Sequence, residues 1–276
     1  MYATEPCTVG SGDRLLGAGD PAPVEVARPA GTSPFFLTCE HGGRAFPARL
    51  GTLGVTGNDL HRHIVWDIGA EGVARELSAR LDATLVLQRY SRLVVDCNRA
   101  PDTADFVAEV SEDTVIPGNQ CLSGAAVEAR AAEIFHPYHD RIHDLLEARI
   151  AAGRLTVAVS VHTCTPVYLG EHRPWHVGVM YEHDHRLARE MLAVLREEGE
   201  EGEEAGLVVG DNEPYFMTSD KDYSMPRHGQ GRGILHVGFE IRQDLVESES
   251  GQREWAQRME WVLRESLGRL KESGKI

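Results

Sequence analysis

Clustered basic residues are missing from this sequence. The chain has 276 residues, with 28 Lys and Arg against 43 Asp and Glu, and a net charge of −15. Proteins bind nucleic-acid phosphates through clustered Lys and Arg, so we do not expect nucleic acid as a partner. Part of the acidic excess lies in "REEGEEGEE", residues 196–204, which predicts a solvated loop or a frayed helix end.

Cysteine is scarce, and long apolar runs are absent. The cysteines are Cys7, Cys39, Cys97, Cys121 and Cys164, an odd number without a C-x-x-C pair, which favours free thiols in a reducing compartment. The N-terminal segment lacks the basic and apolar regions of a secretory signal, and no apolar run approaches the length of a membrane span. These absences predict a cytoplasmic protein with no membrane partner.

Nucleotide-binding glycine motifs and internal repeats are absent too. No G-x-G-x-x-G or P-loop motif follows a strand-like segment, so a nucleotide cofactor has no support. The chain is 42% hydrophobic, which suffices for the core of one large domain. Residues 1–33 are rich in Gly, Pro and Ala and predict a poorly ordered N-terminal arm, which precedes a single domain over residues 34–276.

Short apolar runs alternate with segments of helical period along the rest of the chain. Strands are predicted at 35–40, 83–88, 92–98, 155–162, 176–181, 206–210 and 233–245. Helices are predicted at 60–81, 123–152, around 187–195 and in the tail around 255–267. Strands that alternate with helices indicate an α/β fold with a largely parallel sheet.

Chemically active side chains follow several of the predicted strands. Glu40 and His41 come directly after a buried run, His162 ends another, and Glu240 lies near the end of the last strand. In open α/β sheets, ligands bind beyond the carboxyl ends of the strands. Zinc takes His nitrogen and carboxylate oxygen as ligands and leaves a position for water. These residues therefore favour a hydrolytic metal site at this edge of the sheet.

A set of sequence blocks resembles the N-formylglutamate amidohydrolase family. In chain order the blocks are "CEHGGRAFP", "HIVWDIGAEGVARELSARL", "SRLVVDCNR", "VSEDTVIPGN", "HPYHDRIHDLL", "VSVHTCTP" and "GFEIRQDL". The resemblance runs from about residue 34 to the C-terminal helix, in order and at compatible spacing. It implies a three-layer α/β/α sandwich with a mixed, largely parallel sheet, similar to zinc carboxypeptidases and desuccinylases. It also implies amide hydrolysis that depends on one zinc ion, with another divalent metal as the alternative.

The resemblance implies metal ligands as well. The carboxypeptidase-like pattern is His-x-x-Glu with a distant His, and its histidines correspond to His41 and His162. Arg44 stands where the Glu would fall, and a guanidinium cannot bind zinc. The resemblance implies Asp67 as the third ligand because the family has an acid near this place. His63 is the rival, and Asp67 could instead hold a ligand histidine from outside.

Glu240 and Arg92 are the expected catalytic residues. Glu240 lies on an otherwise apolar strand, where a carboxylate is costly unless it is paired. The resemblance implies that Glu240 takes a proton from the attacking water and returns it to the leaving amine. A salt bridge to Arg242 or another arginine is the alternative interpretation. Arg92 could polarise the amide carbonyl, and Glu40 could orient an imidazole or face solvent.

Asn98, Arg99 and His139 are the expected substrate-binding residues. The Asn-Arg pair resembles the pair that binds the substrate carboxylate in related carboxypeptidases, and a guanidinium binds a carboxylate through paired hydrogen bonds. An internal ion pair is the alternative for Arg99, and Asp96 is expected to orient one of the arginines. His139 matches a family position and is expected to support the site or contact substrate.

These residues together predict a zinc-dependent amidohydrolase. It would remove an N-formyl or similar small N-acyl group from an acidic amino acid such as N-formylglutamate, and this small molecule would be its partner. The chain could also form a homo-oligomer. The alternatives are an amide or imide hydrolase for another small carboxylate in a specialised pathway, and a non-catalytic relative that binds a small molecule. The departure at Arg44 keeps the second alternative open.

Overall fold

The structure is a computed structural model that describes residues 14–201 and 206–276. Within them, strands and helices alternate as predicted. The strands are β1 (Val24–Ala27), β2 (Phe35–Cys39), β3 (Thr84–Gln88), β4 (Val110–Ser111), β5 (Thr114–Val115), β6 (Val157–Cys164), β7 (Val167–Tyr168), β8 (Glu171–His172), β9 (Val177–Met180), β10 (Val209–Asp211) and β11 (Leu235–Arg242). The helices are α1 (Ala70–Leu81), α2 (Gly124–Arg130), α3 (His136–Ala151), α4 (Arg186–Glu201), α5 (Ser224–His228) and α6 (Glu249–Glu272). Cys7 and part of the acidic segment 196–204 lie outside the described residues.

Seven of these strands form one central sheet in the order β1-β3-β2-β6-β11-β9-β10. The neighbours β3, β2, β6 and β11 run parallel, and so do β9 and β10. Strand β1 is antiparallel to β3, and β9 is antiparallel to β11. The sheet is therefore mixed and largely parallel. The other strands make the short hairpins β4–β5 and β7–β8.

Helices cover both faces of this sheet. Helices α1, α4 and α6 pack together over one face, and α3 covers the other. Because successive strand residues point to opposite faces, Phe35 and Leu37 belong to the first core and Phe36 to the second, where Tyr138 and Ile142 also pack. Strands buried on both faces appear in sequence as continuous apolar runs. The architecture is the expected three-layer α/β/α sandwich.

Helices α2 and α3 form one continuous helix through a π-helical turn, Ala131–Phe135. This confirms the helix predicted at 123–152. Gly153 follows it with φ of +66°, a left-handed conformation that glycine adopts without strain. Within the described residues, no helix is long and apolar enough to cross a membrane.

The helix predicted at 60–81 is wrong over its first half. Residues 62–69 lack helical structure, and Gly69 adopts φ of +83° immediately before α1 begins at Ala70. The backbone N–H of Asp67 donates to the carbonyl oxygen of His41 over 2.8 Å. This segment therefore packs against the end of β2, and His63 and Asp67 do not share a helical face.

The strand predicted at 92–98 is also wrong. These residues form buried turns, in which the N–H of Val94 donates to the carbonyl of Ser91 and the N–H of Arg99 to that of Asp96. The run "RLVVDCN" is apolar because Leu93, Val94 and Val95 enter the second core, not because it pairs in a sheet. A short apolar run cannot by periodicity alone distinguish these two kinds of burial.

The N-terminal arm predicted over residues 1–33 needs correction where the structure describes it. Residues 24–27 form β1 at the edge of the sheet, with Val24 opposite Gln88 and Val26 opposite Val86. The prolines around this short segment in "PAPVEVARP" obscured the strand, although an edge strand tolerates flanking proline. Residues 1–13 lie outside the described part.

Candidate active site

The candidate residues converge at the carboxyl ends of adjacent strands. Strands β2, β6 and β11 are neighbours in the sheet. His41 follows β2, and His162 lies opposite Glu240 in the parallel pairing of β6 with β11. Asp67 reaches the same place from the turn before α1, where its backbone is bonded to that of His41. The sheet order thus confirms the convergence predicted from the strand ends.

His41, Asp67 and His162 form one buried group that could hold a metal ion. Their ligand atoms all lie within 4.8 Å of one another. Asp67 Oδ2 is 2.9 Å from His162 Nδ1 and 3.6 Å from His41 Nδ1. Two imidazole nitrogens and a carboxylate oxygen match the donors of catalytic zinc sites, which keep a further position open. The residues present therefore fit a zinc ion.

Carboxylates hold the outer ring nitrogens of both histidines. Nε2 of His41 donates to Asp96 Oδ1 over 2.7 Å. Nε2 of His162 lies 3.2 Å from Glu40 Oε2 and 2.7 Å from Ser160 Oγ. The Ser160 hydroxyl in turn donates to Glu40 over 2.8 Å. Such contacts fix ring orientation in metal-ligating histidines and leave Nδ1 for the shared centre. Glu40 therefore orients an imidazole, that of His162.

Charge stabilises the ionised carboxylates of this group. Burial by itself would raise the pKa of Glu40, but the hydrogen bond and charge of His162 lower it to about 2. Burial would also raise the pKa of Asp67, but the two histidines hold it below its ordinary value. For His162, burial favours a lower pKa, and the hydrogen bonds with Asp67 and Glu40 raise it well above its ordinary value. Positive charge on the two histidines therefore stabilises the ionised forms of Glu40 and Asp67.

Glu240 differs from these carboxylates in its surroundings. It is 7% exposed, and its Oε2 atom is buried without a hydrogen-bond partner among the described residues. Burial raises the pKa of Glu240 to about 7, although the positive charge of His162 opposes this rise. Arg242, the alternative partner considered from the sequence, pairs with Asp244. A carboxyl group with a pKa near neutrality can both accept and return a proton.

Arg92 bridges two acids of the site. Its Nε and Nη2 atoms donate to Asp96 Oδ2 over 3.2 and 3.0 Å, and Nη1 donates to Asp67 Oδ1 over 3.3 Å. Burial would lower the pKa of Arg92, but the charges of Asp96 and Asp67 raise it above its ordinary value. This confirms that Asp96 orients an arginine. Because a guanidinium carries five N–H groups, Arg92 retains donors for a substrate.

Asn98 and Arg99 line the same cavity and are bonded within the chain. Asn98 Oδ1 accepts from the N–H of Ser224 over 3.0 Å, and its Nδ2 donates to Asp222 over 3.1 Å. Arg99 pairs with Asp105 at 2.7 Å and with Asp222 at 3.2 Å. The ion pair considered as the alternative for Arg99 is therefore present. A substrate carboxylate would share Arg99 with these acids.

His139 lies behind the turn that carries Asn98. Its Nε2 donates to the carbonyl oxygen of Cys97 over 2.8 Å, and its Nδ1 is 2.9 Å from Nε2 of His228. Burial lowers the pKa of His139 to about 4 and that of His228 to about 2. These contacts match the supporting role. His63, the rival metal ligand, lies 3.3 Å from Glu112 instead.

Arg44 and three cysteines lie outside the candidate metal group, although Cys164 lines the cavity. Arg44, which replaces the expected Glu, lies over the ring of Trp66 at 5.1 Å. Cys39, Cys97 and Cys164 are buried free thiols, and burial raises the pKa of each. A thiol that stays protonated is a weak nucleophile, so burial suits these cysteines to a structural role.

Sequence reasoning missed side chains that the fold brings to the site. Ser160 precedes His162 by two residues in β6, where the strand's period of two places both on one face. Arg173 and Tyr215 come from separate loops, and Arg173 Nη1 donates to Tyr215 Oη over 2.9 Å. The available signal for Tyr215 is the aromatic pair after proline in "EPYF", residues 213–216.

A cavity of about 560 Å³ connects these groups. Its lining includes His41, Asp67, Arg92, His162, Tyr215 and Glu240. Apolar side chains stand at its rim, where Phe216 is 59% exposed and Val110 is 51% exposed. A candidate metal-ligand group, the Glu240 oxygen that has no partner among the described residues, and two arginines thus face one cavity.

The fold and this cavity define the class: an α/β/α hydrolase with a candidate metal centre at the carboxyl ends of its strands. The family model for N-formylglutamate amidohydrolase matches residues 33–247, and the chain belongs to that family. It is therefore an amidohydrolase, an enzyme that hydrolyses carbon–nitrogen bonds.

Solved structures show the same fold. A gene product of Agrobacterium tumefaciens is 37% identical with a TM-score of 0.88, and the match covers 94% of this chain and 100% of that one. The N-formylglutamate amidohydrolase of Ralstonia eutropha JMP134 is 19% identical with a TM-score of 0.62, covering 89% of this chain and 97% of that one. No curated protein sequence gives a significant match.

Proposed function

We propose that this protein is a zinc-dependent amidohydrolase that converts N-formylglutamate to formate and glutamate. The observation that carries the proposal is the buried His41–Asp67–His162 group, which shares a cavity with Glu240, whose Oε2 atom has no hydrogen-bond partner in the described part of the chain. Membership of the N-formylglutamate amidohydrolase family supports this class of reaction. The structural neighbour from Ralstonia eutropha bears the same activity in its name.

Three side chains would hold the metal ion: His41, Asp67 and His162. When bound, zinc supplies Lewis acidity, which polarises an amide carbonyl and makes water a stronger acid. Asp96 and Glu40 hold the outer nitrogens of the two histidines, so the rings need not reorient when the ion enters. The chain thus presents its ligands in a fixed arrangement.

Glu240 moves the proton in this proposal. Its carboxylate takes a proton from the attacking water and returns it to the amide nitrogen as the carbon–nitrogen bond breaks. The hydroxyl of water is added to the formyl carbon, and glutamate leaves as the amine. A buried oxygen without an internal partner and a pKa near 7 suit Glu240 for this exchange.

Arg92, Asn98 and Arg99 recognise the substrate in this proposal. Arg92 directs its unused N–H groups at the carbonyl or a carboxylate of the substrate, and Arg99 binds a carboxylate. Asn98 acts through Asp222, to which both Asn98 and Arg99 are bonded. His139 holds the Cys97 carbonyl and thereby supports this turn.

Metal analysis combined with formate release tests the proposal. We expect about one zinc ion per chain, and formate release from N-formylglutamate that stops with a chelator and returns with zinc. His41→Ala and His162→Ala should each lose zinc and activity together, whereas His63→Ala, which alters the rival ligand beside Glu112, should retain both. Stoichiometric zinc in both ligand variants would refute the metal group. Zinc-loaded protein that leaves N-formylglutamate intact would refute the substrate.

The size of the cavity favours a second candidate function, the hydrolysis of an amino acid that carries a larger N-acyl group. About 560 Å³ lies within the roughly 300–1,000 Å³ that holds drug-sized ligands, whereas N-formylglutamate is a much smaller molecule. The exposed ring of Phe216 at the rim would suit a bulkier acyl group. A panel of N-formyl, N-acetyl, N-succinyl and peptide substrates separates the two functions by the ratio of kcat/KM values.

We also propose a cytoplasmic location. Cys39, Cys97, Cys121 and Cys164 are all free in the described part of the chain, which suits a reducing compartment. The small-molecule partner follows from the enclosed cavity, and homo-oligomer formation stays a prediction that sedimentation of the purified protein can test.

A further inference from the structure

The loop that carries Tyr215 is held closely against the sheet. A Cβ atom at Gly178 of β9 would lie 1.8 Å from the carbonyl oxygen of Glu213, and one at Gly210 of β10 would lie 2.3 Å from the same atom. Only glycine at both positions allows the backbone of residue 213 to approach this far. The neighbouring strands therefore fix the backbone two residues before Tyr215, and the tyrosine lines the cavity from there.

Arg173 holds the hydroxyl of this tyrosine. Its Nη1 donates to Tyr215 Oη over 2.9 Å. Its guanidinium carbon lies 4.6 Å from the ring centroid of Tyr215 and 4.7 Å from that of Tyr168, so the cation contacts both aromatic rings. Arg173 is 9% exposed. The guanidinium is thus buried, although Tyr215 and Tyr168 are 39% and 38% exposed.

Arg173 differs from the arginines that line the cavity. Arg92 and Arg99 each pair with two carboxylates. Within residues 14–201 and 206–276, no salt bridge to an acid is found for Arg173, and its side-chain hydrogen bond goes to Tyr215. A nearly buried cation without a counter-ion is costly unless it serves another group. The positive charge of Arg173 therefore acts on the Tyr215 hydroxyl, to which Arg173 donates a hydrogen bond.

The geometry leaves the hydroxyl hydrogen of Tyr215 available. The oxygen accepts from Arg173, and no acceptor for its hydrogen occurs among the described residues. Burial, followed by the negative charge of Glu240, raises the pKa of Tyr215 to about 12, so the hydroxyl remains protonated at neutral pH. A phenol that already accepts from a cation is also a stronger donor, because hydrogen bonds in a chain polarise one another.

We infer that Tyr215 is a catalytic hydrogen-bond donor to the carbonyl oxygen of the scissile amide, and that Arg173 is its positioning residue. This deepens the proposed function and rests on it for the reaction. In amide hydrolysis, addition of water to the acyl carbon moves an electron pair onto the carbonyl oxygen before the carbon–nitrogen bond breaks. A fixed donor at that oxygen stabilises the transition state more than the substrate.

Location favours the carbonyl oxygen over a distant carboxylate of the substrate. Tyr215 lines the same cavity as Glu240 and Arg92, the groups that act on the amide in the proposed function. It faces the same cavity as His41, Asp67 and His162. A neutral donor backed by a cation suits an oxygen that gains negative charge during the reaction.

Steady-state kinetics of Tyr215→Phe with zinc-loaded protein and N-formylglutamate test the inference. Loss of one donor to a developing oxyanion lowers kcat by roughly 10²–10³-fold, and we expect such a fall with KM unchanged within about threefold. Tyr181→Phe is the matched control, because it removes a tyrosine hydroxyl that donates to Asp211 outside the cavity, and it should retain wild-type kinetics.

Binding measurements add a readout that does not depend on turnover. In N-phosphorylglutamate, a tetrahedral phosphorus with anionic oxygens replaces the formyl group, so the compound mimics the transition state. Isothermal titration calorimetry should show that Tyr215→Phe weakens its binding at least tenfold and leaves that of glutamate unchanged. A raised KM with retained kcat, or equal losses for both ligands, would overturn the inference in favour of ordinary substrate binding.

Variants of Arg173 test its positioning role. Arg173→Met should lower kcat with KM unchanged, and Arg173→Lys should recover part of the loss because it restores a cationic donor. In the Tyr215→Phe background, Arg173→Met should cost nothing further, because the arginine acts through the hydroxyl. Additive losses would contradict this.

If the wild-type protein hydrolyses a different N-acyl amino acid, the proposed substrate is refuted, and the same kinetics would then be measured with that compound. If wild-type protein hydrolyses nothing in the panel, both proposals fail.

Discussion

The carboxylate of Asp96 offers a sharp test of how the site is built, through Asp96→Asn. This buried side chain accepts from Nε2 of His41 over 2.7 Å, from Arg92 over 3.0 and 3.2 Å, and from the N–H of Asn98 over 2.8 Å. The substitution keeps the shape of the side chain and removes its charge. It therefore perturbs the outer contact of His41 without removing a proposed metal ligand.

The expected effect on zinc affinity is a 10–100-fold loss. Changes to groups that orient ligand histidines typically have this effect, which corresponds to about 1.4–2.7 kcal/mol. The reason lies in the tautomer of His41. A carboxylate can only accept, so it keeps the hydrogen on Nε2 and leaves Nδ1 free for a metal, whereas an amide that turns its NH₂ toward the ring favours the opposite tautomer. Arg92 also loses one of its two acid partners.

Competition with a chromophoric chelator measures the zinc affinity of the Asp96→Asn variant, and thermal unfolding shows that it is folded. The matched control is Asp105→Asn. Asp105 is an exposed acid that pairs with Arg99 at 2.7 Å, and its loss should leave zinc affinity unchanged. A folded Asp96→Asn protein with wild-type zinc affinity would refute the argument that Asp96 holds a ligand histidine.

Three further predictions concern other parts of the site. Glu240→Gln should retain zinc and lose kcat by about 10²–10⁴-fold, because an amide cannot carry the proton; steady-state assays with metal analysis check this, and unchanged kcat would remove Glu240 from the mechanism. Arg99→Ala should raise KM about tenfold or more with kcat retained, since a hydrogen bond to a charged group contributes about 1.5–3 kcal/mol; an unaltered KM would exclude Arg99 from recognition. Burial lowers the pKa of His139 to about 4 from an ordinary 6.5, so the unfolded chain binds the proton first and stability should fall as pH drops from 6.5 to 4. Urea titrations should show a loss of up to about 3 kcal/mol from this group, reduced in His139→Gln, and identical pH dependence in the two proteins would contradict the assignment.

Strand ends could be predicted from the sequence because burial and chemistry coincide there. The runs before His41 and in β6 and β11 are buried on both faces, so they appear as largely apolar segments that end on polar side chains. Parallel neighbours then bring those ends to one edge. No local sequence pattern encodes the strand order β2-β6-β11. The sequence could therefore suggest that these residues converge but could not establish it.

The same reasoning from apolar patterns failed where buried segments form turns. Residues 92–98 are as apolar as a strand because they enter a core, and residues 62–69 carry apolar side chains at helical spacing without forming a helix. The local pattern of apolar residues shows that a segment is buried. The backbone hydrogen bonds within these turns decide whether it forms a strand, a helix or a turn. Tyr215 and Arg173 were missed for a related reason, because their contact joins two loops 42 residues apart, which no local pattern encodes.

A third candidate ligand is present although the expected His-x-x-Glu motif is broken. Arg44 cannot bind a metal and lies over Trp66 instead of turning toward the site. Asp67 supplies the candidate carboxylate from another segment, and its backbone N–H is bonded to the carbonyl of His41. That bond fixes the separation of the two residues as firmly as short sequence spacing would. A carboxylate and an imidazole therefore meet through the tertiary structure, and the distance from His41 along the chain no longer identifies the ligand.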